Sequence, residues 1–392
     1  MFRKEISLRA ELRKGGIHTA VITLLAIIFV TAAFSFVCHD TYAVSSKDAK
    51  SSGMTVSVEK SKVKIKIKRV GKKGTAKLYM CRANQYNKKD KLNGISKSAK
   101  VKGTYIGKYK MGSNKTFTVK RYKKGVDLLY NKYYLVDKKG KIVKGPIYAS
   151  KIYSPVKSVT VKMASKKGLF MDDAAALSDA KDLGASSMAI NINLAGILYP
   201  NYHSNAIRFK SNGKTYYFNK SKIEQYDNLI SANTQNGLNT TATILLMDNG
   251  ESNGIPSALL YSNRTGESFG MNTSNSSGRD YFVACMEFLA SRYSRGQEHG
   301  MINNYVIGNE VDFTGCFMPE KKAKGKKQTA RFNEYMEEYA RALRLSNAAV
   351  KKYAGDARVH ISITHNWAAP GNEAVGGTAY APKAMLEWLA KY

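Results

Sequence analysis

Residues 304 to 313 read NYVIGNEVDF, a short apolar run that closes on a glycine and then sets Asn309 beside Glu310. Apolar side chains in a run this short predict a buried strand, and a strand that ends on an amide and a carboxylate needs a reason. The flanking sequence supplies a frame. Before it, DYFVACMEFLASRY places Phe282, Cys285, Phe288 and Leu289 on one helical stripe. After it, ARFNEYMEEYARALRLSNAAVKKY does the same with Phe332, Tyr335, Met336, Tyr339 and Leu343.

Working outward, the alternation repeats. GLFM (168 to 171) reads as a strand. DDAAALSDAKDLGAS reads as a helix carrying Ala175, Leu177, Ala180 and Leu183 inward and stopping at Gly184. SMAINI is a second strand. SKIEQYDNLISANTQN is a helix with Ser221 as its candidate N-cap and Ile223, Tyr226, Leu229 and Ile230 on one face. TATILLMD is a continuous apolar run of the kind found in parallel strands covered on both faces. VHISITHNW follows the central stretch as a fifth strand, and PKAMLEWLAKY opens another helix. Such alternation predicts βα units around a parallel sheet, either a (β/α)8 barrel or an open doubly wound sheet. No glycine-rich phosphate loop follows any strand, which weighs against the dinucleotide-binding version.

Residues 54 to 155 have a different period. VEKSKVKIKIKRV puts Val63, Ile65 and Ile67 on one face and Lys62, Lys64, Lys66 and Lys68 on the other, a half-buried strand. AKLYMCR, TFTVKRY, NKYYLVD and GKIVKG are similar runs between Gly, Asn and Lys turns, so this segment predicts a small all-β sandwich of the immunoglobulin or fibronectin kind. Lysines on its outer face have a structural reading as well, since they discourage edge-to-edge pairing.

At the start, five basic residues precede an apolar run from Ile17 to Val37 and the small-residue pattern Thr41-Tyr42-Ala43. Residues 1 to 43 therefore read as a secretory signal peptide of a bacterial cell-surface or secreted protein, with a retained membrane anchor as the rival because the run can span a bilayer. Residues 44 to 53, rich in Ser and Lys, read as a spacer. Beyond the signal only Cys81, Cys285 and Cys316 remain, which is neither a disulfide framework nor a zinc spacing. No metal site and no cofactor is expected.

The net charge of +34 is concentrated in one region: residues 44 to 160 carry 32 Lys and Arg against 5 Asp and Glu, whereas residues 161 to 392 carry 26 against 21. An exported domain with that balance is drawn to polyanions, such as an anionic cell-wall polymer or a membrane surface. The preference for Lys over Arg argues against base readout in nucleic acid.

The expected strand ends gather one chemistry. They offer Asn191 and Asn193, Asp248 and Asn249, then Asn309, Glu310 and Asp312, and finally His365, Asn366 and Trp367. Active sites of (β/α)8 barrels sit at the carboxyl ends of strands. Amides and carboxylates there suit sugar hydroxyls, an indole suits a pyranose face, and a carboxylic acid can protonate a glycosidic oxygen. Counted from GLFM, the Asn-Glu pair ends the fourth strand. In this the chain resembles the clan of retaining (β/α)8 glycoside hydrolases, and with its signal and β-sandwich leader it resembles a domain-of-unknown-function family of secreted bacterial glycosidase-like proteins. The resemblance implies Glu310 as general acid/base and Asn309 as the residue that holds a substrate hydroxyl and orients the acid. It also implies a nucleophilic carboxylate on a seventh strand, whereas Tyr392 falls in the helix after the fifth. The expectation is thus an incomplete barrel of about five βα units over residues 156 to 392, a fragment of a longer enzyme lacking the nucleophile. Asp248 is the in-chain substitute for an inverting geometry. Carbohydrate is the expected partner, cleaved or, in the alternative reading, only bound.

Overall fold

The computed structural model describes residues 53–83, 103–159, 162–170, 176–248, 254–261, 268–313, 328–368 and 380–391, with short backbone ladders at 90–91 and 94–95. The expected signal segment, the spacer up to residue 52, Asn249 and Cys316 lie outside the described residues. Among the described residues no helix is long and apolar enough to cross a membrane.

The N-terminal region is all β. Strands β1 (Met54–Val58), β2 (Lys62–Lys68), β3 (Thr75–Arg82), β4 (Thr104–Lys110), β5 (Asn114–Lys120), β6 (Asn131–Asp137), β7 (Ile142–Ile147) and β8 (Ala149–Ile152) form two four-stranded sheets, ordered β8-β1-β2-β5 and β7-β6-β3-β4. Period-two alternation explains the first sheet: Val63, Ile65 and Ile67 are wholly buried, with Met54, Val56 and Val58 beside them and Leu78, Tyr133 and Leu135 from the second sheet. NKYYLVD departs from the half-buried expectation, because Tyr134 and Val136 on its reverse face pack with Cys81, Tyr79 and Ile142. The lysine stripe also needs a new reason. β2 is an interior strand of its sheet, so its lysines guard no edge.

The C-terminal region is mixed α/β. Strands β9 (Gly168–Phe170), β10 (Ser187–Asn193), β13 (Asn239–Leu245), β14 (Asn304–Ile307) and β15 (Arg358–His360) make a parallel sheet in strict sequence order. Between them run α1 (Leu177–Asp182), the antiparallel hairpin of β11 (Ala206–Ser211) and β12 (Lys214–Asn219), α2 (Lys220–Gln235), α3 (Ser276–Arg292) and α4 (Gln328–Tyr353), with α5 (Pro382–Lys391) after β15. Three local readings are corrected. Asn219, not Ser221, caps α2, its side chain accepting from Lys222 N at 3.3 Å. Leu183 follows the last turn of α1 and is exposed, because that helix stops at Asp182. TATILLM is covered unevenly: Ala242 and Ile244 are buried, while on the opposite face Thr241 and Thr243 are only half-buried before Leu245 closes the run.

The two faces of the parallel sheet therefore differ. Met188, Ile190, Ile192, Ala242, Ile244, Tyr305 and Ile307 are buried on one. On the other, Asn191, Thr243, Val306 and His360 lie in one register row, Asn191 exposed and the rest half-buried. The row beneath is polar: Asn304 donates to Asn239 Oδ1 at 2.8 Å and to Thr241 Oγ1 at 3.1 Å, and its own Oδ1 lies 3.1 Å from His360 Nε2.

A buried ionic group joins the two regions. Arg121 holds Asp127 with two bonds of 2.9 and 2.8 Å. Lys352 on α4 reaches Asp127 at 3.2 Å and Glu287 on α3 at 2.6 Å, and Tyr130 donates to the same Glu287 oxygen. Asp127 N also donates to Asn212 Oδ1 in the β11–β12 turn. These contacts explain the burial of Glu287 on α3, while Arg279 and Asp280 at its start pair with each other and Lys214 Nζ donates to Asp280 Oδ2 at 3.0 Å.

Candidate functional site

The carboxyl end of β14 is held by backbone and side-chain bonds from three directions. Gly308, at φ +74°, continues the ladder by donating to Ile244 O at 3.0 Å. Tyr339 on α4 donates to Ile307 O at 2.9 Å, and Tyr335 donates to Val311 O. From beyond β15, Ser362 O accepts from Val311 N at 3.0 Å. A turn closes by Phe313 N donating to Glu310 O at 2.8 Å, and Tyr380 N donates to Asp312 O at 2.8 Å.

Within this turn Glu310 takes φ +46°, the left-handed region, which costs a side-chain-bearing residue about 1–2 kcal/mol. Its backbone N–H donates to Ser362 Oγ at 3.3 Å, and the same hydroxyl donates to Asn309 Oδ1 at 3.2 Å. Ser362 thus ties the amide of the pair to the backbone of the acid. The Glu310 carboxyl is half-buried. Burial first and the Asp312 carboxylate second push its pKa up, and His365 opposes them. A carboxyl so placed keeps its proton to higher pH than a free glutamate, the direction a general acid requires.

Asp312, two residues on, is treated in the opposite way. It is wholly buried, and both its oxygens accept from Thr364, from the backbone N at 2.8 Å and from Oγ1 at 2.5 Å. It anchors the loop after β15 and is not free to attack a substrate.

The remaining expected residues fall as follows. His365 stands close enough to Glu310 to act on its charge. Asn366 and the 57% exposed Trp367 lie on the same loop, and Trp367 O accepts from Lys383 N at 3.0 Å at the start of α5. Asp248 is exposed just past the end of β13. Asn191 is exposed within β10, one register row below its end. Asn193 is structural: its Oδ1 accepts from Ala195 N and Met247 N, and its Nδ2 donates to Met247 O, which joins the ends of β10 and β13. Sequence reading missed Ser362 and Thr364, the hydroxyls that position Asn309, Glu310 and Asp312. Their only signal is the alternation in HISIT, which puts two small hydroxyl residues on one side of an extended segment.

Among the described residues no group of three or more His, Cys, Asp or Glu side chains is placed to hold a metal ion. Cys81 and Cys285 are buried and form no disulfide among the described residues, and burial pushes Cys285 up to about 12, which makes it unreactive as a nucleophile.

Residues 159–392 match the model of a family of unknown function, DUF5722. The match takes in the whole parallel sheet and leaves the β-sandwich outside it. No curated protein matches the chain. The chain belongs to this family of unknown function.

Proposed function

We propose that this member of the family is an exported glycoside hydrolase that acts on polysaccharide or cell-surface glycan, with Glu310 as its general acid/base. The observation that carries the reading is the state of Glu310 at the carboxyl end of β14: left-handed, half-buried and raised in pKa beside Asn309. A parallel sheet in strict sequence order supports a (β/α)8-type reading over a doubly wound one, which reverses its order at a switch point. Right-handed crossovers between sequential neighbours put the helices on one face and leave the other as a barrel wall. In this reading the five strands are the first five of eight, and Glu310 ends the fourth.

Glu310 protonates the glycosidic oxygen as the bond to the anomeric carbon breaks, then takes a proton from the incoming water. Asn309, fixed through Ser362, holds a sugar hydroxyl, and Trp367 offers its face to a ring. A retaining mechanism needs a second carboxylate about 5–5.5 Å from the first. Asp312 is committed to Thr364, so in the resembled clan's arrangement that group belongs to a seventh strand. Asp248 on the neighbouring strand is the candidate for an inverting site, where about 6.5–9.5 Å separates the pair. The same commitment of Asp312 favours one alternative, a protein that binds glycan without cleaving it.

The test is a panel of glycans and chromogenic glycosides offered to the protein expressed over its whole reading frame. Glu310→Gln is expected to abolish turnover while glycan binding persists. Full activity in that variant removes Glu310 from the chemistry, and wild-type binding without turnover establishes the alternative.

A further inference from the structure

The outer face of the sheet β8-β1-β2-β5 carries an ordered array that the proposed hydrolysis does not use. Lys62, Lys64, Lys66 and Lys68 point outward from β2, an interior strand, while Val63, Ile65 and Ile67 fill the core. The register places each central lysine between two hydroxyls: Thr55, Lys66 and Thr116 make one row, and Ser57, Lys64 and Thr118 the next. Lys62 stands opposite Lys120, and Lys151 on β8 is level with Ser57. Glu59, paired with Lys64 at 2.6 Å, is the one acid in these four strands and the β1–β2 turn.

Solvation alone does not explain this pattern. Like charges directly opposite, as at Lys62 and Lys120, destabilise a sheet. Edge protection does not apply to an interior strand. The geometry instead resembles a track. Alternate residues of a strand are about 6.6–6.8 Å apart, so the four lysines repeat at that interval over about 20 Å, with hydroxyl donors about 4.8 Å to either side. A phosphodiester chain with three carbons between phosphates repeats at about 7 Å by ordinary bond lengths. A nucleic-acid strand also has three carbons between phosphates and shares this repeat, so the side chains on the face, not the spacing, separate the two. The face has no Arg to read bases, and its hydroxyls stand where a single-strand binder interleaves aromatic rings. It also has no exposed Leu, Ile, Phe or Trp with which to enter a bilayer.

We propose that this face binds a linear polyol-phosphate polymer laid along β2, its phosphates held by the lysine row and, at Lys64 and Lys66, by the flanking hydroxyls as well. The inference does not depend on the hydrolase reading.

The test uses the full chain and a fluorescent poly(glycerol phosphate), with affinity measured across a salt series. In Lys62→Gln/Lys66→Gln/Lys68→Gln the Lys64–Glu59 pair is kept, the substituted side chains are exposed and the Lys62–Lys120 repulsion is relieved, so the unfolding midpoint does not fall. The control Lys138→Gln/Lys139→Gln/Lys141→Gln removes the same charge from the exposed turn between β6 and β7. At about 0.7 counterions per neutralised charge on a single strand, the first variant is expected to lower the salt slope by about two and the affinity at least tenfold at low salt. The control is expected to change affinity by less than about twofold. Equal losses in both variants would overturn the proposal. So would tighter binding to single-stranded DNA of equal charge, or retention by anionic phospholipid vesicles without binding to the polymer.

Discussion

Replacing Glu310 by glycine should stabilise the protein while disabling it. Two costs at this position can be separated by comparing Glu310→Gln with Glu310→Gly. Glutamine keeps the left-handed backbone and removes the ionisable group; glycine removes both. In the unfolded chain a glutamate ionises near pH 4.3, whereas here burial and Asp312 hold the proton on to higher pH. The wild type therefore loses stability as pH rises from the unfolded pKa through the folded one. Below both pKa values that cost is absent, and it is present in full above the folded one, at about 1.4 kcal/mol per unit of displacement. Glutamine should then match the wild type near pH 4 and exceed it near pH 7.

Glycine adds relief of the φ +46° strain, about 1–2 kcal/mol, less about 0.4–1 kcal/mol for the extra freedom of the unfolded chain. The net is about 0.5–1 kcal/mol in favour of glycine over glutamine, with little pH dependence. The backbone bonds at this residue, from its N to Ser362 Oγ and from Phe313 N to its O, survive both changes. Urea denaturation of the three proteins near pH 4 and pH 7 reads these differences directly. A glycine variant less stable than the glutamine variant at both pH values, or a glutamine advantage that does not grow with pH, would refute the reasoning.

The buried ionic group supplies a second test. Lys352→Met leaves the wholly buried Glu287 with Tyr130 alone and should cost about 3–5 kcal/mol by urea denaturation, with Lys352→Met/Glu287→Leu recovering a large part of the loss. A single-variant cost under about 1 kcal/mol would show that the group contributes little to joining the regions. At Trp367, where the ring is largely exposed and, among the described residues, only the backbone is bonded, alanine should change stability by less than about 0.5 kcal/mol while weakening glycan affinity about tenfold in titration calorimetry. Unchanged affinity would remove the indole from the site.

How much could be read beforehand follows from the range of the interactions. KVKIKIK states its burial pattern in its own alternation, and the parallel strands were legible because they and their helices write local periods, although the fifth, expected over VHISITHNW, stops at His360. The polarity of NYVIGNEVDF at its end was legible for the same reason. What was hidden is non-local. Ser362 reaches Asn309 and Glu310 across more than fifty residues, and no periodicity encodes that. Glu287 lies outside the stripe of Phe282, Cys285, Phe288 and Leu289 and is buried because Tyr130 and Lys352, far away in sequence, arrive to pair with it. The left-handed turn at Glu310 was also unreadable, since glutamate carries no preference for it.

Two carboxylates two residues apart make the functional argument sharper than either does alone. Asp312 is buried at a cost that two bonds from Thr364 offset, so its presence is explained by the loop it anchors. Glu310 bears a left-handed backbone, partial burial and a carboxylate neighbour, and among the described residues no hydrogen-bond donor reaches its side chain. Nothing in the folding of the turn requires glutamate there; glycine would serve the backbone better and a neutral residue the electrostatics. Strain without structural return is the state expected of a group held ready for a ligand. It is also why the stability gain and the activity loss must appear in the same variant for Glu310 to be the acid.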